Sequence, residues 1–342
     1  MAGARGGGVD GRAIAKRAAF FAVVAVLAAI ALTALPGIDE VRDEFSDANP
    51  WWLVASALCE LMSMFGFVRA LWSAFDRVMP WRRAVVLGFA EQGANVLLPA
   101  GGAGGPAFGA YVLTRIGVPA ELASSRHAAL FLATSAVSFV ALVFAGIIGT
   151  IFHEGSLLLT LVPSVIAAIV ITLAVLFGSM PAPVRPERGK ARILFWRVRH
   201  FVHDGVSTTL ELLRHGDRLL IVGSFTYFAF DVAALACAFQ AFGGGAPGIG
   251  VFILAYALGH AGALVPTPGG VGGTEGGLIG AFVAYGTPLS TAAAAVLAYR
   301  VFQLGLPAIL GAVSLLRIQR VLANPPPPEA VAAAFELARR RT

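Results

Sequence analysis

The sequence predicts an all-α polytopic membrane protein with about six full transmembrane helices and two re-entrant broken-helix hairpins in inverted-topology repeats. Of its 342 residues, 58% are hydrophobic and only 13% are charged, whereas soluble domains carry roughly 25% charged residues. Long apolar runs alternate with short polar loops, and two glycine-rich breaks interrupt apolar sequence. These observations predict a chain that crosses a lipid bilayer several times.

Six apolar runs are long enough to cross a hydrocarbon core of about 30 Å at a rise of about 1.5 Å per residue. We expect a disordered, basic cytoplasmic N-terminus over residues 1–17. The run that follows it lacks a clear cleavage site, so it is predicted to be a true span and not a signal peptide. The six predicted spans are residues 18–36, 51–75, 127–151, 156–178, 219–242 and 289–316.

Two further apolar segments, residues 84–116 and 249–286, are broken by glycine and proline. Their arms of about 11–17 residues reach roughly 16–25 Å, less than the hydrocarbon thickness. Lipid does not tolerate exposed irregular backbone, so each segment is predicted to be a re-entrant hairpin of two half-helices. The predicted tips comprise Pro99, Gly101, Gly102, Gly104, Gly105, Pro266, Pro268, Gly269, Gly270, Gly272 and Gly273.

Basic residues predict the orientation of the chain, because cytoplasmic loops are enriched in Lys and Arg. The acidic loop "DEVRDEFSD" is expected outside, whereas the basic loop 181–218 and both termini are expected in the cytoplasm. With residues 84–116 entering and leaving on one face, every basic cluster falls on the same side. Two full crossings would give the same sidedness, so arm length alone favours re-entrance. The predicted location is the cytoplasmic membrane of a prokaryote.

An internal repeat relates the two broken segments. "LLPAGGAGGP" matches "LVPTPGGVGGT", and Pro119 matches Pro288 in the same register. Inverted repeats with discontinuous helices are typical of secondary transporters, although glycine also permits tight helix packing. We predict one membrane domain over residues 18–320, followed by a proline-rich linker and basic tail over 321–342. The predicted repeats are residues 51–151 and 219–316.

Glu275 and Arg300 are predicted to face each other inside the membrane. They lie at almost equal separations before and after Pro288, and therefore at equal depth. A charge at the bilayer centre costs about 2.5–3.5 kcal/mol, so each needs a partner or water. Thr274, or free backbone N–H groups at the helix start, are expected to stabilise the carboxylate. The pair could be a polar gate or a purely structural ion pair.

Other polar residues near mid-depth or near the tips complete the predicted substrate path. Membrane acids often take part in proton relays, but a membrane Asp can also just bind a neighbour, and a lone His is commonly a core residue. Glu60 is ambiguous in the same way, whereas Arg69, Arg115 and Arg126 are expected to extend to anionic lipid. The additional candidates are Tyr299, Asp231, His260, Glu91 and Asn95.

Residues 181–218 interleave aromatic and basic side chains, as in "ARILFWRVRHF". This pattern is typical of an amphipathic helix at the membrane surface. The basic residues lie beside apolar runs, where anionic lipid explains them better than nucleic acid, and the histidines lack metal-ligand spacing. We therefore predict no nucleic-acid partner, no metal and no cofactor.

The blocks "NVLLPAGGAGG" and "VPTPGGVGGTEGGL", with "GTPLSTAAAAVLAYRVFQLGLPAILG" after the second, resemble the lysylphosphatidylglycerol synthase transmembrane, or flippase-like, family. The resemblance covers most of residues 15–320 and implies a stand-alone lipid-translocating domain without the aminoacyl transferase domain of some relatives. Relatives commonly carry Glu and Arg where this chain has Pro106 and Gly109. The second block keeps Glu275 and the Tyr299–Arg300 pair, so polar chemistry is expected in one half only.

Three classes of function follow from these patterns. The favoured one is a lipid flippase or scramblase that moves a phospholipid or polyprenyl-linked lipid through the hairpins. The second is a membrane partner or assembly factor of a lipid-synthesis enzyme. The third, a lipid phosphate phosphatase, is disfavoured because "PGGVGG" lacks the Ser and Arg of such loops. The protein is accordingly expected to be a transporter and not an enzyme; its oligomeric state is not indicated.

Overall fold

The computed structural model describes residues 45–98, 103–182, 184, 186, 189–214, 218–264, 267–323, 327, 329, 331 and 333. The predicted N-terminus 1–17, the first apolar run 18–36 and most of the tail 321–342 lie outside them. Ten α-helices occupy the described ranges: α1 (Pro50–Ala74), α2 (Trp81–Leu97), α3 (Gly104–Arg115), α4 (Ala120–Ile151), α5 (Leu157–Ser179), α6 (Lys190–Arg214), α7 (Leu219–Ala241), α8 (Ile249–His260), α9 (Gly273–Ala284) and α10 (Leu289–Ala323).

Five of these helices are long and apolar enough to cross a membrane: α1, α4, α5, α7 and α10. They correspond to five of the six predicted spans. Their outer faces carry large apolar side chains, for example Leu158 at 70% and Phe144 at 60% exposure. Extended apolar surface of this kind suits hydrocarbon and not water. The all-helical, multi-pass membrane architecture is confirmed.

Helices α1 and α7 cross at the centre of the bundle at very short distance. A Cβ at Gly66 would lie 2.4 Å from the Tyr227 nitrogen, and one at Gly223 would lie 2.5 Å from the Ala70 nitrogen. The Ser56 hydroxyl also donates to the Ala234 carbonyl at 2.8 Å. In lipid, small residues let helix backbones approach and form interhelical hydrogen bonds. The two glycines thus fix the central pair that positions the polar side chains described below.

Two pairs of short helices form hairpins, which we call the first hairpin (α2–α3) and the second hairpin (α8–α9). Helices α3, α8 and α9 each have 12 residues, about 18 Å at 1.5 Å per residue, and α2 has 17. Within each pair the arms pack side by side: Gly105 approaches the Glu91 carbonyl, and Gly259 approaches Leu278. The short arms predicted from the sequence are present in both places.

The order of long and short helices occurs twice along the chain. The first residues of α1 to α4, at 50, 81, 104 and 120, have counterparts in those of α7 to α10, at 219, 249, 273 and 289. The spacing agrees with the duplicated glycine and proline blocks, whose register pairs Pro119 with Pro288. Each half of the described bundle therefore contains a long helix, a hairpin and a second long helix.

The bases of the two hairpins lie at opposite ends of α4, which has 32 residues. Near the start of α4, Arg126 forms a bidentate ion pair with Asp76, just before α2, at 2.7 and 3.2 Å. Beyond its end, Glu154 accepts a hydrogen bond from the Val251 N–H in the first turn of α8 at 3.0 Å. The expectation that Arg126 extends to lipid is wrong, because the carboxylate of Asp76 satisfies its guanidinium inside the protein.

Helix α6 lies within the predicted amphipathic loop and packs on α4 and α5. The Thr209 hydroxyl donates to the Gly205 carbonyl at 2.7 Å and contacts the Ala129 carbonyl at 3.4 Å. Leu194, Phe195 and Val198 project outward and are exposed. The helical conformation predicted for this loop is confirmed over Lys190–Arg214.

Candidate functional site

A polar cavity of about 410 Å³ lies where the two hairpins meet. The meeting point is close: a Cβ at Gly269, in the second hairpin, would lie 3.6 Å from the carbonyl oxygen of Val96 in α2. Helices from both halves of the chain contribute to the walls, which is the usual position of a ligand site in a helical bundle. Its polar lining consists of Glu60, Gln92, Asn95, Ser138, Tyr227, Asp231, Tyr256, His260, Thr267, Thr274, Arg300 and Gln303.

The end of the second hairpin has a backbone that only glycine adopts easily. Gly269, Gly270 and Gly272 have φ values of 62°, 67° and 86°, in or near the left-handed region that side chains disfavour. The turn allows the Gly272 N–H to donate to Glu275 Oε2 at 2.7 Å. A carboxylate in the first turn of α9 is stabilised there by unpaired N–H groups and the helix dipole.

Glu275 and Arg300 form the ion pair that their equal depth predicts, with Arg300 Nε 2.8 Å from Glu275 Oε1. The same guanidinium donates to the Gly269 carbonyl at 2.6 Å and to Gln303 Oε1 at 2.5 Å. Arg300 thus connects the glycine turn, the start of α9 and α10. Of the two supports expected for Glu275, the structure uses the backbone N–H, whereas the Thr274 hydroxyl is buried without a hydrogen-bond partner.

Asp231 lies at the centre of a hydrogen-bonded network beside this pair. The hydroxyls of Tyr256 and Tyr299 donate to its two carboxylate oxygens at 2.5 and 2.6 Å. Gln303 donates to the Tyr299 hydroxyl and contacts Nε2 of His260 at 3.2 Å. Through Gln303 the network continues to Arg300, so Asp231, His260, Tyr299 and Arg300, all predicted site residues, form one cluster.

Glu60 of α1 joins the cluster from the opposite wall. It is 4% exposed, interacts with Asp231, and its Oε2 has no hydrogen-bond partner. The sequence left its role open. A buried, unpartnered carboxylate oxygen at a cavity wall is available to a polar ligand or to water, because burial without a partner is costly.

The first hairpin brings together a different set of polar residues. Glu91 of α2 lies 3.1 Å from Nε2 of His127 in α4, and Asn95 accepts a hydrogen bond from the Gly105 N–H at 3.3 Å. A cavity of about 200 Å³ lies beside them and shares Gln92, Asn95 and Tyr227 with the central cavity. Asn95 therefore belongs to both cavities, whereas Glu91 lines the smaller one.

The predicted tip residues divide into three groups. Gly104 and Gly105 begin α3 and are buried against Leu98 and the Glu91 carbonyl, so they pack within a helix; Gly273 likewise begins α9. The segment Pro268–Gly270 forms a short 3-10 turn, and Gly272 is the residue that directly precedes α9. The remaining tip residues, Pro99, Gly101, Gly102 and Pro266, lie outside the described residues.

Three important side chains were not among the predicted site residues: Gln303, Tyr256 and His127. Gln303 follows Arg300 by three residues and Tyr256 precedes His260 by four, so each shares a helix face with a predicted residue. That spacing was a usable signal. For His127 no local signal exists, because its partner Glu91 is on another helix. Among the described residues, no group of three or more His, Cys, Asp and Glu side chains is arranged to hold a metal ion.

The cavity has the size and the polar groups to bind a small charged group. Its volume falls within the range of small-molecule sites, about 300–1,000 Å³, and it presents one guanidinium, two carboxyl groups, three side-chain amides and several hydroxyls. A guanidinium binds phosphate well because its donors match the geometry of the anion. The outer faces of the surrounding bundle are apolar, so the cavity and the outer surface offer different surroundings.

The comparisons with known proteins agree with this architecture. No curated protein was found to match the chain. Residues 19–311 match the protein family described as the lysylphosphatidylglycerol synthase TM region. This match covers both hairpins and the polar residues around the central cavity, and it indicates a lipid-related role in a membrane. The chain therefore belongs to the lysylphosphatidylglycerol synthase transmembrane-region family.

Proposed function

We propose that this protein is a lipid flippase or scramblase that carries a phospholipid or polyprenyl-linked headgroup through the central cavity while the acyl chains remain in the bilayer. One observation carries the proposal: a cavity lined by charged and hydrogen-bonding groups lies where two short hairpins meet, inside a bundle whose outer faces are apolar. Polar groups at membrane depth are costly and mark transport pathways.

The proposal includes two re-entrant hairpins of inverted topology. Arms of 12 residues are too short for hydrocarbon of about 30 Å, and the hairpin bases contact opposite ends of α4 through Asp76 and Glu154. The recurring order of helices supports the same arrangement. Labelling of single cysteines at positions 103 and 271 tests it. Two loops that cross the membrane fully would be labelled from opposite faces of the membrane, and that result would contradict re-entrance.

Glu275 and Arg300 would form the gate of this path. A lipid phosphate that enters the cavity competes with Glu275 for the guanidinium, since both present oxygens to the same planar donors. The glycine turn would follow Arg300, because its guanidinium also binds the Gly269 carbonyl at 2.6 Å. Headgroup binding and movement of the second hairpin are thereby coupled.

The orientation proposed from the sequence places the protein in the cytoplasmic membrane of a prokaryote with both termini inside. The end of the bundle with Arg82, Arg83 and Arg115 would then face the cytoplasm. Helix α6 would lie on the cytoplasmic leaflet with Leu194 and Phe195 in the lipid. Protease or label access to residues 185–218 from outside intact cells would overturn this orientation.

A transporter fits the site better than an enzyme. Among the described cavity residues, the ring nitrogens of His260 contact the Tyr256 carbonyl and Gln303. His260 is therefore not placed to take a proton from the hydroxyl of Thr267 or Thr274. The alternative role, a membrane partner of a lipid-synthesis enzyme, predicts that the purified protein moves no lipid by itself.

The test is lipid movement in vesicles that contain only the purified protein. Vesicles with labelled phospholipid or polyprenyl phosphate in one leaflet are followed with and without a pH gradient. We expect faster exchange between leaflets than in protein-free vesicles for at least one of these lipids. Rates equal to those of protein-free vesicles for every lipid tested would contradict the proposal and favour the partner role.

A further inference from the structure

The pair of Glu91 in the first hairpin and His127 in α4 lies outside the central cavity and has no part in the proposed gate. Glu91 is fully buried, and its Oε1 lies 3.1 Å from Nε2 of His127. The other ring nitrogen, Nδ1, lies 2.8 Å from the Ala123 carbonyl oxygen. A carbonyl oxygen only accepts hydrogen bonds, so Nδ1 carries a hydrogen.

This geometry requires one proton in addition to the hydrogen on Nδ1. With its hydrogen on Nδ1, a neutral imidazole has a lone pair on Nε2, and an ionised carboxylate also offers only lone pairs. Two acceptors at 3.1 Å form no hydrogen bond unless one further proton lies between them. The contact of Glu91 with His127 therefore requires a bound proton, carried by either partner, and the pair titrates as a unit.

The described side chains around the pair include no unpaired charged group that would attract or repel this proton. The ring of Phe75, the residue directly after α1, lies 5.3 Å from the imidazole between ring centroids, and α3 contributes Gly109. Arg126, the next residue along α4, is already paired with Asp76. Among the described residues that line the small cavity, the one further titratable side chain is the phenol of Tyr227.

Polar side chains also connect the pair to the central cavity and offer a route for its proton. Glu91 Oε2 has no hydrogen-bond partner, and the small cavity that it lines shares Gln92, Asn95 and Tyr227 with the central cavity. These polar side chains can hold water between the two cavities, because a buried water needs two to four polar partners.

We propose that Glu91 and His127 form a proton-binding site that exchanges its proton with the central cavity. Release of the proton leaves two acceptors facing each other at the junction of α2, α3 and α4. Helix α3 lies against both: a Cβ at Gly109 would be 1.9 Å from Glu91 Oε1 and 2.7 Å from His127 Nε2. Separation of the pair therefore loosens the first hairpin, and proton binding closes it.

The proton site is tested without any lipid assay. The purified protein in nanodiscs is titrated with acid, and the infrared difference spectrum is recorded for the wild type, Glu91→Gln and the control Glu121→Gln, whose side chain is exposed. We expect the spectrum to lose carboxyl bands in Glu91→Gln and to keep those bands in the control. A spectrum of Glu91→Gln that matches the wild type would overturn the site.

A second variant covers the case in which Glu91→Gln fails to fold. His127→Phe keeps a ring beside Phe75 but removes the acceptor at Nε2. We expect the Glu91 carboxyl band to shift in frequency and its titration midpoint to move, because the shared proton has lost one of its two partners. A band and midpoint equal to those of the wild type would overturn the assignment of His127.

The coupling to lipid movement rests on the proposed function. In Glu91→Gln the amide still donates to His127 Nε2 but cannot release a proton, so the first hairpin is held closed. We expect lipid exchange to respond several-fold to a pH gradient in the wild type and to lose that response in Glu91→Gln. If the wild type moves no lipid while the infrared bands are present, the proposed function fails and the proton site stands. An unchanged pH response in Glu91→Gln would overturn the coupling.

Discussion

Both hairpins consist of two short helices, but the polar and apolar side chains between their arms are arranged in opposite ways. In the first, the second arm contributes Gly109 and the first arm contributes Glu91, which fills the space. In the second, the first arm contributes Gly259 and the second arm contributes Leu278, with a Cβ at Gly259 only 2.5 Å from the Leu278 Cα. An acidic side chain therefore lies inside the first hairpin, whereas the second is apolar between its arms.

The charged group of the second hairpin lies instead at the start of its second arm. There Glu275 meets Arg300 beside the central cavity, supported by left-handed glycines. In the two proposals made above, the second hairpin contacts the headgroup and the first responds to protons. Substitutions that alter a contact of one hairpin, compared with a control elsewhere in the protein, test this difference.

The largest effect is expected at the ion pair of the second hairpin. Arg300→Ala leaves the Glu275 carboxylate unpaired at membrane depth, which costs about 3–5 kcal/mol. The double change Glu275→Gln with Arg300→Gln should regain most of this stability. Thermal unfolding in detergent measures both, with the exposed Arg69→Ala as control. Equal losses in the single and double variants would show that charge pairing does not stabilise this hairpin.

The network around Asp231 should give the next largest effect. Tyr256→Phe removes a hydroxyl that donates to a buried carboxylate, and hydrogen bonds to charged groups contribute about 1.5–3 kcal/mol. Tyr285→Phe is the matched control, since its hydroxyl donates to the neutral Leu159 carbonyl near the surface and contributes about 0.5–1.5 kcal/mol. Thermal or chemical unfolding measures both variants. A larger loss of unfolding free energy in Tyr285→Phe than in Tyr256→Phe would contradict the central position of Asp231.

Gly109→Ala tests the packing of the first hairpin. Its methyl group would collide with Glu91 and His127, which are hydrogen-bonded to each other, so neither can move without breaking that bond. Overpacking of this kind costs about 1–3 kcal/mol. In the second hairpin Gly280 has nothing within 4 Å of its Cβ position, so Gly280→Ala should leave the unfolding temperature unchanged or raise it. Equal changes in unfolding temperature in Gly109→Ala and Gly280→Ala would show that the two hairpins do not differ in packing at these positions.

The smallest expected effect concerns the hairpin bases. Glu154→Gln weakens the interaction of a carboxylate with the first turn of α8, a loss of about 0.3–1 kcal/mol. Hydrogen exchange should quicken over the first turn of α8 and stay unchanged over that of α2, which has no side-chain cap. Equal changes in both helices would indicate that Glu154 acts on the whole bundle.

The sequence was sufficient to predict the features that depend only on where a residue lies along one helix. Counting residues from Pro288 put Glu275 and Arg300 at one depth, and short arms identified the hairpins. Contacts between distant parts of the chain could not be predicted in this way: the partner of Arg126, Asp76, lies 50 residues away in the turn after α1, and without it Arg126 was expected to extend to lipid. His127 was missed for the same reason. The supporting role of Gln303 would have followed from its spacing on α10 alone.

The central claim is that the headgroup passes the Glu275–Arg300 pair. Its most direct test measures lipid exchange in vesicles with the Glu275→Gln, Arg300→Gln double variant, once its unfolding temperature matches the wild type. The control carries Glu121→Gln and Arg115→Gln, two exposed changes of the same chemistry near the first hairpin. We predict that the control exchanges lipid at the wild-type rate and the double variant at the rate of protein-free vesicles. Wild-type exchange by the stable double variant would show that the pair is structural and lies off the lipid path.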